Sequence, residues 1–375
     1  YLLKIMITIK TSRNALLLPL QKVAGIVERR HTLPILSNVL IDNQMGQAAL
    51  TATDLEVQIR THADLQLKDP SESITIAAKK LLDILRSLPE SSEIVLDGKE
   101  SRLTLKAGKS RFSLQTLPAA DFPKLAETGE AVTSFSLNRK TFKAQLEKVQ
   151  YAMANQDIRY YLNGMLISVA AGKVTAVATD GHRLSFAESN MDGGEAKAEA
   201  ILPRKTVAEL IKLLDDGDAD SSVNVTLKTN QVRFDLGNTE LSSKLIDGKF
   251  PDYTKVIPTG YTKHITLNRI QLQQALNRAA ILSNEKIRGV RVVLTKDIMN
   301  IICSNNEQEE AQEELAIAYD GEPLDVGFNV TYLLDVLNHT DVENIVWSFG
   351  DANSSSLVTV PGDEQFKYVV MPIRL

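Results

Sequence analysis

Apolar residues between positions 137 and 157 recur at the spacing of an α-helix. At steps of four, three and four, the sequence has Phe142, Leu146, Val149 and Met153. Such a stripe lies along one helical face and is expected to pack against the rest of a domain. Two β-rich runs follow, separated by a Gly172-Lys173 turn, as in a β-hairpin. This stretch therefore predicts a helix, a strand, a turn and a strand in that order.

The same pattern occurs three times along the chain. Arg13, Arg139 and Arg269 begin three predicted helices at intervals of 126 and 130 residues, and the apolar positions that follow them agree in register. An interval of this length is that of a domain rather than of a solenoid repeat. A second helix and further strands follow each hairpin, so each domain should hold two βαβββ-like halves. We predict an α+β fold with helices on one face and antiparallel sheets on the other.

The repeat also predicts where the domains begin and end. Two similar segments that contain Phe-Pro, residues 118–130 and 247–260, precede the second and third copies and cannot extend a helix or a central strand. We therefore expect domains at residues 1–128, 129–258 and 259–375, with residues 1–5 as a candidate extension.

Composition narrows the class of protein. A length of 375 residues with 43% hydrophobic and 24% charged residues is ordinary for globular proteins of two or three domains. The single cysteine, Cys303, excludes an intramolecular disulfide framework and fits a reducing compartment. No apolar run reaches the length of a membrane span. We expect a cytoplasmic protein with no membrane partner.

Charge is sorted between the predicted elements. The net charge of −5 speaks against nucleic-acid binding by the chain as a whole. The predicted helices, at residues 12–30, 78–88, 138–150, 203–216, 268–280 and 329–339, carry +9 together, so the remainder carries −14. A fold that gathers the helices would make one surface basic, and we expect Arg13, Arg139 and Arg269 to point into that shared interior. The alternative is chance sorting among solvated faces.

Candidate catalytic chemistry is weak in this sequence. The histidines are scattered, and none forms a pair at metal-ligand spacing, so no metal or other cofactor is expected. The AGKS at 107–110 resembles the end of a phosphate loop but lies between strand-like runs, where a hairpin turn is the better interpretation. Asp180 and His182, in TDGHRL, suggest an enzyme that acts on nucleic acid. An Asp-Gly turn explains them without catalysis, and we predict no enzymatic activity.

Two surfaces suggest partners. The final YVVMPIRL is apolar, which fits either a strand of the third domain or a surface that holds partner peptides. The acidic run at 307–314 and the basic residues Arg102, Lys106, Lys109 and Arg111 have opposite charge. They are either two solvated strands or complementary patches that meet when two chains assemble.

Several long motifs resemble one known family. They are RYYLNGML from Arg159, ATDGHRL from Ala178, SKLIDGKFPDY from Ser243, AAILSNEKIRGVR from Ala279, EQEEAQEE from Glu307, GFNVTYLLDVLN from Gly327 and YVVMPIRL from Tyr368. The chain is similar, from about Met6 to Leu375, to the bacterial DNA polymerase III beta subunit family, the sliding clamps. The resemblance implies a ring made by a head-to-tail homodimer, in which helices line a hole for duplex DNA and antiparallel sheets form the outer wall. It also implies a processivity factor that slides without sequence specificity and has no catalytic activity.

The resemblance also implies partners and site residues. The expected partners are the DNA polymerase III alpha subunit, the clamp-loader complex, other DNA polymerases, mismatch-repair proteins and ligase. For DNA binding, the matching residues are Arg30, Lys79, Arg86, Gln156, Arg204 and Lys205. The expected dimer interface contains Lys80, Arg102, Lys109, Arg111, Phe112, Ile281, Leu282, Glu307, Glu309, Glu310 and Glu313. The expected peptide pocket contains Leu162, Thr179, Gly181, His182, Arg183, Leu184, Pro251, Val256, Asn329, Tyr332, Val369, Val370, Met371, Pro372 and Arg374.

Two departures from the family and two other functions stay open on the sequence alone. Lys255 and Ile287 stand at the pocket rim where relatives can carry Arg and Phe, so the peptide preference is undetermined. Besides the clamp, the alternatives are a nucleic-acid enzyme with its site near Asp180 and His182, and a three-domain protein scaffold that ignores DNA.

Overall fold

The structure is a computed structural model that describes residues 6–28, 32–44, 47–65, 73–99, 101–191, 197–218 and 220–375. One residue expected to contact DNA, Arg30, lies outside these ranges. The described chain contains α-helices and antiparallel β-sheets, so the predicted α+β class is confirmed.

The six predicted helices are present in the described chain. They are α1 (Arg13–Val23), α2 (Ala78–Ser87), α3 (Arg139–Glu147), α4 (Arg204–Asp215), α5 (Arg269–Ala280) and α6 (Val330–Asn338). Each begins within one residue of the predicted start, but α1 and α3 are shorter than expected. Val149 and Met153 lie beyond the end of α3, although both are buried as the apolar stripe predicts.

The described residues contain 24 strands. They are β1 (Met6–Ser12), β2 (Asn38–Gln44), β3 (Gln47–Thr53), β4 (Val57–Ala63), β5 (Ser73–Ala77), β6 (Glu93–Lys99), β7 (Arg102–Ala107), β8 (Ser110–Gln115), β9 (Ala131–Asn138), β10 (Gly164–Ala170), β11 (Lys173–Thr179), β12 (Arg183–Asn190), β13 (Ala198–Pro203), β14 (Ser222–Lys228), β15 (Gln231–Asp235), β16 (Thr239–Lys244), β17 (Lys263–Asn268), β18 (Gly289–Thr295), β19 (Ile298–Ser304), β20 (Glu310–Ala316), β21 (Leu324–Asn329), β22 (Asn344–Phe349), β23 (Ser356–Val360) and β24 (Asp363–Val370).

The strands form a repeating four-strand pattern with one exchange. In each βαβββ half, the three strands after the helix pair in chain order, as in β2-β3-β4 and β6-β7-β8. The strand before the helix joins the sheet of the other half, so β1 pairs with β6 while β5 pairs with β2. The same exchange puts β9 beside β14, β13 beside β10, β17 beside β22 and β21 beside β18. Each pair of halves is therefore held together by main-chain hydrogen bonds.

The chain separates into two compact units. The first comprises residues 1–139 and 208–245 and contains the sheet β1-β6-β7-β8 and the eight-stranded sheet β5-β2-β3-β4-β16-β15-β14-β9. The second comprises residues 140–207 and 246–375 and contains β20-β19-β18-β21 and β13-β10-β11-β12-β24-β23-β22-β17. The division passes through the predicted central domain because that domain's two half-sheets are each continued by strands of a neighbouring domain.

Each unit buries an apolar core beneath its helices. In the first unit, Leu16 and Leu20 of α1 are fully buried, and α1 packs on α2, which buries Leu81 and Leu85. In the second unit, α5 packs on α6, and the largest buried side chains are aromatic: Trp347, Tyr368, Phe328 and Phe366. Burial of these apolar faces against the sheets is the main favourable contribution to the fold.

The arginines that begin α1, α3 and α5 have a structural role that the sequence did not predict. The guanidinium of Arg139 donates to the carbonyl oxygens of Leu213 (2.7 Å) and Leu214 (3.3 Å) in the last turn of α4. In the same way, Arg13 donates to the Leu85 carbonyl oxygen at the end of α2 (2.8 Å).

Arg269 repeats this contact, because its guanidinium donates to the Leu337 carbonyl oxygen at the end of α6 (3.0 Å). The last carbonyl groups of a helix lack intrahelical partners and carry partial negative charge, which a cation stabilises. The expectation that these arginines point into a shared interior was wrong for Arg139, which is only 8% exposed. In all three, the guanidinium donates to a carbonyl oxygen at the end of the next helix in the chain.

Candidate functional site

The TDGHR segment forms a tight turn at the start of β12. The Asp180 carboxylate accepts hydrogen bonds from the backbone N–H groups of His182 (2.9 Å) and Arg183 (3.0 Å). Thr179 closes the turn, because its hydroxyl donates to the Arg183 carbonyl oxygen and accepts from the Gly181 N–H. Gly181 has a φ of +89°, a conformation that favours glycine. Asp180 is thus engaged in holding the turn, as the Asp-Gly interpretation predicts, and the enzymatic alternative gains no support here.

Arg183 lies at the centre of a network in the second unit. Its guanidinium forms ion pairs with Asp335 of α6 and with Asp180 (3.2 Å). It also donates to the Tyr151 carbonyl oxygen (2.7 Å) and lies 4.5 Å from the centre of the Tyr332 ring. These contacts fix the position of α6 relative to β12, since a bonded guanidinium over an aromatic face has little freedom.

Aromatic rings form one wall of this site. The ring of His182 stacks on Tyr332 with 6.4 Å between centroids. Burial raises the pKa of Tyr368, so its hydroxyl stays protonated and donates to the Tyr332 carbonyl oxygen (2.8 Å). Asn329 begins α6 by accepting the Thr331 N–H at its side-chain oxygen. Asn329 and Tyr332 are thereby held on the first turn of α6.

The segment after β24 crosses the same site. Leu184 and Val369 are paired residues of β12 and β24, and Val370 is paired with Arg183. Beyond the strand, the Met371 N–H donates to the His182 carbonyl oxygen (2.9 Å), and Met371 is 44% exposed. The predicted strand is therefore correct for Val369 and Val370, while the later residues continue as an ordered surface segment.

An apolar floor lies between these elements. Leu184 and Val369 are each 1% exposed and pack in one cluster with Phe250, with Tyr253 and Ile257 against it. Pro251 and Val256 flank that part of the chain, and Val256 is 42% exposed. This apolar cluster therefore lies beside the polar groups of the TDGHR turn, a combination found in sites that hold short peptides.

The structure brings most of the predicted pocket residues together by direct contact. Contacts or pairing join Thr179, Gly181, His182, Arg183, Leu184, Tyr332, Val369, Val370 and Met371. Leu162 is buried in the turn Tyr160–Asn163, Pro372 is partly buried, and Arg374 is exposed. All fifteen residues belong to the second unit.

Three residues of this site were not predicted from the sequence. Asp335 and Tyr151 bind the Arg183 guanidinium. Arg159 lies against Gly181 and donates to the Asp180 carbonyl oxygen (3.2 Å), while its guanidinium also binds the Asp157 carboxylate (3.0 and 2.8 Å). The Asp-x-Arg spacing at residues 157–159 was the available signal for this loop, but nothing local linked it to residue 180.

The residues expected to contact DNA are found on helix surfaces and one loop. Lys79 and Arg86 are exposed on α2 in the first unit. In the second unit, Arg204 and Lys205 occupy the first turn of α4, and the Arg204 guanidinium donates to the Met153 carbonyl oxygen (3.0 Å). Gln156 lies in the same loop as Met153 and has a φ of +57°.

The residues expected at a dimer interface lie on or near two end strands, β8 and β20, and on two helices. Arg102 is on β7 and Arg111 and Phe112 are on β8, with Lys109 in the turn between them and Lys80 exposed on α2. Gly108 in that turn has a φ of +57°, so the AGKS segment is the predicted hairpin turn.

The acidic residues lie at the other edge. Glu310 and Glu313 belong to β20, and Glu307 and Glu309 precede it. Ile281, after α5, is 77% exposed, and Leu282 beside it is partly buried. Glu313 is bound within the chain by Arg278, whose guanidinium donates to both carboxylate oxygens (2.8 and 2.7 Å).

Neither a metal cluster nor a membrane-spanning helix occurs in the described part of the chain. No group of three or more His, Cys, Asp or Glu residues there has the arrangement of a metal site. Within the same residues, no helix is both long and apolar enough to span a membrane.

Comparison with known proteins gives a consistent result along the chain. Models of the DNA polymerase III beta subunit match at residues 6–126 (N-terminal domain), 136–252 (central domain) and 254–374 (C-terminal domain). The chain is 44% identical over 363 residues to the beta sliding clamp of Vibrio cholerae serotype O1, covering 97% of this chain and 98% of that protein. It is 42% identical over 363 residues to the beta sliding clamp of Escherichia coli K12, with the same coverage.

Solved structures agree with these relatives. A DnaN sliding clamp (DNA polymerase III subunit beta) from Pseudomonas aeruginosa, bound to griselimycin, superposes with a TM-score of 0.92 at 45% identity, covering 98% of this chain and 100% of that one. The beta sliding clamp of C. crescentus gives a TM-score of 0.92 at 37% identity, with 99% of each chain covered.

Proposed function

Because the chain belongs to the DNA polymerase III beta subunit family, we propose that it is a DNA sliding clamp that closes into a ring as a homodimer. It is an accessory subunit of DNA polymerase III and has no catalytic activity of its own. It encircles duplex DNA and holds polymerases on the template. A replication clamp works at the chromosome, so its proposed place of action is the cytoplasm.

The observation that carries the ring is how the four-stranded half-sheets join. The last strand of each half lies at its outer edge. Four of these strands pair within the chain, β4 with β16 and β12 with β24. Among the last strands of the described halves, β8 and β20 remain at the ends of their sheets. An exposed strand edge offers unpaired main-chain groups to another strand. We infer that β20 of one chain pairs with β8 of another.

The helix ends support the same joint. Lys22, at the end of α1, pairs with Asp216, just after α4. Likewise, Tyr151, beyond α3, stacks on His339 at the end of α6 with 4.5 Å between ring centroids. By analogy, the end of α5 with Ile281 and Leu282 would meet the end of the partner's α2.

Charge supports this joint as well, since Arg102, Lys109 and Arg111 beside β8 face Glu307, Glu309 and Glu310 beside β20 in the proposed pairing. Two identical heterologous contacts of this kind close a ring. The domains of that ring are proposed at residues 1–128, 129–258 and 259–375. Family models that begin and end near these boundaries support the division.

The proposed grip on DNA is electrostatic. Four of the expected contact residues are on helix surfaces: Lys79, Arg86, Arg204 and Lys205. Gln156 is on a loop of the second unit, and Arg30 lies outside the described residues. Contacts of this type reach phosphates and not base edges, so they give no sequence preference and weaken with salt. A closed ring does not need tight binding, because its topology keeps it on the DNA.

The surface above the apolar cluster of Leu184, Phe250 and Val369 in the second unit is the proposed site for partner peptides. Its floor of Leu184 and Val369, its wall of His182 and Tyr332 and its edge at Met371 suit short segments with apolar anchors. Burying two such anchors contributes about 3 to 6 kcal/mol, and association costs offset part of this gain. Micromolar affinity, about 8 kcal/mol, then lets partners exchange on one ring. The proposed partners are the polymerase III alpha subunit, the clamp loader, other polymerases, mismatch-repair proteins and ligase.

Retention on DNA tests this function. Protein loaded by a clamp loader onto nicked circular DNA is expected to elute with the DNA in gel filtration and to be lost when the circle is cut. Sedimentation should give twice the chain mass of 41.3 kDa. Equal loss from circular and linear DNA would rule out an encircling ring.

A further inference from the structure

A cavity lies beside the proposed peptide pocket, against the strands β18 and β19. Its volume is about 230 Å³. Its apolar lining consists of Ile287, Ile302 and Leu375, and its polar lining includes Asn284, Ser304 and Asn305. All of these residues belong to the second unit.

Two glycines leave the space that the Leu375 side chain occupies at one wall of the cavity. A Cβ added to Gly289 on β18 would lie 2.2 Å from Leu375 Cδ2, and one added to Gly327 on β21 would lie 3.0 Å from Leu375 Cγ. The backbone is fixed beside them, because the Ile373 N–H donates to the Gly327 carbonyl oxygen (2.8 Å). Leu375 is therefore held flat against the sheet.

The loop that carries Ile287 is also fixed, although the Ile287 side chain is exposed. The Asn284 side-chain oxygen accepts the N–H groups of Lys286 (3.0 Å) and Ile287 (3.1 Å), which closes the loop before β18. Ile287 is 53% exposed and Leu375 is 61% exposed. Two large, half-exposed apolar side chains that line one cavity indicate a binding surface more than chance exposure.

The cavity borders the proposed peptide pocket at two points. The Asn329 side chain, which belongs to that pocket, donates to the carbonyl oxygen of Ile287 (3.5 Å). Leu375 directly follows Arg374, the last residue of the proposed pocket. A peptide that leaves the pocket on the side of Asn329 would therefore pass over this cavity.

We propose that this cavity is an additional subsite, which takes one apolar side chain of a partner peptide from outside its core motif. This inference rests on the proposed function, because it needs peptides in the neighbouring pocket. The cavity suits a residue of the size of leucine. Arg291 on its rim is already paired with Asp325. An acidic side chain would therefore enter a partly apolar cavity without a free cation from Arg291 and should be disfavoured.

A peptide series tests this subsite. Short fluorescein-labelled peptides share one core with adjacent Leu and Phe anchors and carry Leu, Ser or Asp at a single flanking position, which is moved along each side of the core. Dissociation constants are measured by fluorescence anisotropy with the full chain. We expect leucine at one flanking position to bind about threefold to tenfold more tightly than serine, with aspartate weakest, because it buries a half-exposed apolar side chain.

Variants separate the subsite from the pocket. Ile302→Ser and Leu375→Ser should abolish the leucine advantage and leave the affinity of the core peptide unchanged. Ile270→Ser is the matched control, since Ile270 is 42% exposed on α5 and does not line the cavity. Equal binding of leucine and serine at every position, or an advantage that survives in both variants, would overturn the subsite. Failure of the core peptide itself to bind would instead overturn the proposed pocket.

Discussion

Arg278 holds the Glu313 carboxylate inside one chain through two hydrogen bonds of 2.8 and 2.7 Å. Hydrogen bonding from Arg278 also lowers the pKa of Glu313, so this carboxylate is ionised and already paired at neutral pH. The acidic edge of β20 is therefore not uniform. Glu313 is bound by Arg278 of its own chain, whereas Glu310 on the same strand is exposed and could bind a partner chain.

This difference predicts unequal effects on the proposed dimer. Glu310→Lys should raise the dimer dissociation constant about tenfold or more, because it places a cation opposite the proposed basic edge. Glu313→Gln should change it less than about twofold, since its partner is Arg278. Sedimentation across a dilution series measures both. A larger effect from Glu313→Gln than from Glu310→Lys would contradict the assignment.

The exposed side chain of Ile281 gives a second test of the subunit joint. Ile281→Asp should convert the dimer to monomers at micromolar concentration, because the change puts a charge where an apolar contact is proposed. Ile158→Asp is the matched control, since Ile158 is 96% exposed and lies in a different loop. Light scattering coupled to gel filtration gives the mass of each variant. Dimers from both variants would exclude Ile281 from the joint.

The helix-end arginines predict a loss of stability rather than of DNA binding. Arg139→Ala should lower the free energy of unfolding by about 1.5 to 3 kcal/mol, since it removes buried charged hydrogen bonds to the α4 carbonyl groups. Lys140→Ala, at an exposed position of α3, should have little effect. Urea denaturation measures both variants. Comparable stability for the two would show that the Arg139 contact to α4 is unimportant.

Salt dependence tests the proposed DNA contacts. Lys79→Ala or Arg204→Ala should each reduce the slope of log K against log salt by about 0.9 for duplex DNA, because each removes one phosphate contact. Lys244→Ala should leave the slope unchanged, since Lys244 is on β16 and pairs with Glu56. Anisotropy titrations from low to moderate salt give these slopes. Unchanged slopes for Lys79 and Arg204 would favour a scaffold that ignores DNA.

The loop around Asp157 should be resistant to acid. Hydrogen bonds from Arg159 lower the pKa of the Asp157 carboxyl from 3.8 to about 2. The contribution of this pair is therefore present above pH 4 and is lost as the pH falls through about 2. An NMR titration of the carboxyl should show this midpoint, and Arg159→Ala should move it to about 4. A midpoint near 4 in the unaltered protein would show that the pair does not form.

The local pattern of apolar and polar residues was enough to predict much of the secondary structure. The starts of all six helices, the alternating strands and the hairpin turns were predictable because side-chain periodicity and turn residues act over a few positions. The burial of Phe142 and Leu146 followed from spacing alone. The family motifs likewise named the residues of the proposed pocket that the fold brings into contact, since each motif is continuous in sequence.

The kind, order and repetition of the elements thus followed from the amino-acid pattern. The fold alone shows that β1 joins β6 and β5 joins β2, because strand pairing unites residues far apart and leaves no local signal. The fold also shows that Arg139 donates to carbonyl groups at the end of α4, and that Arg159 donates to the Asp180 carbonyl oxygen. A charged residue looks the same in sequence whether it faces DNA, a helix end or a neighbouring loop. Its role depends on which groups the fold brings within hydrogen-bonding distance.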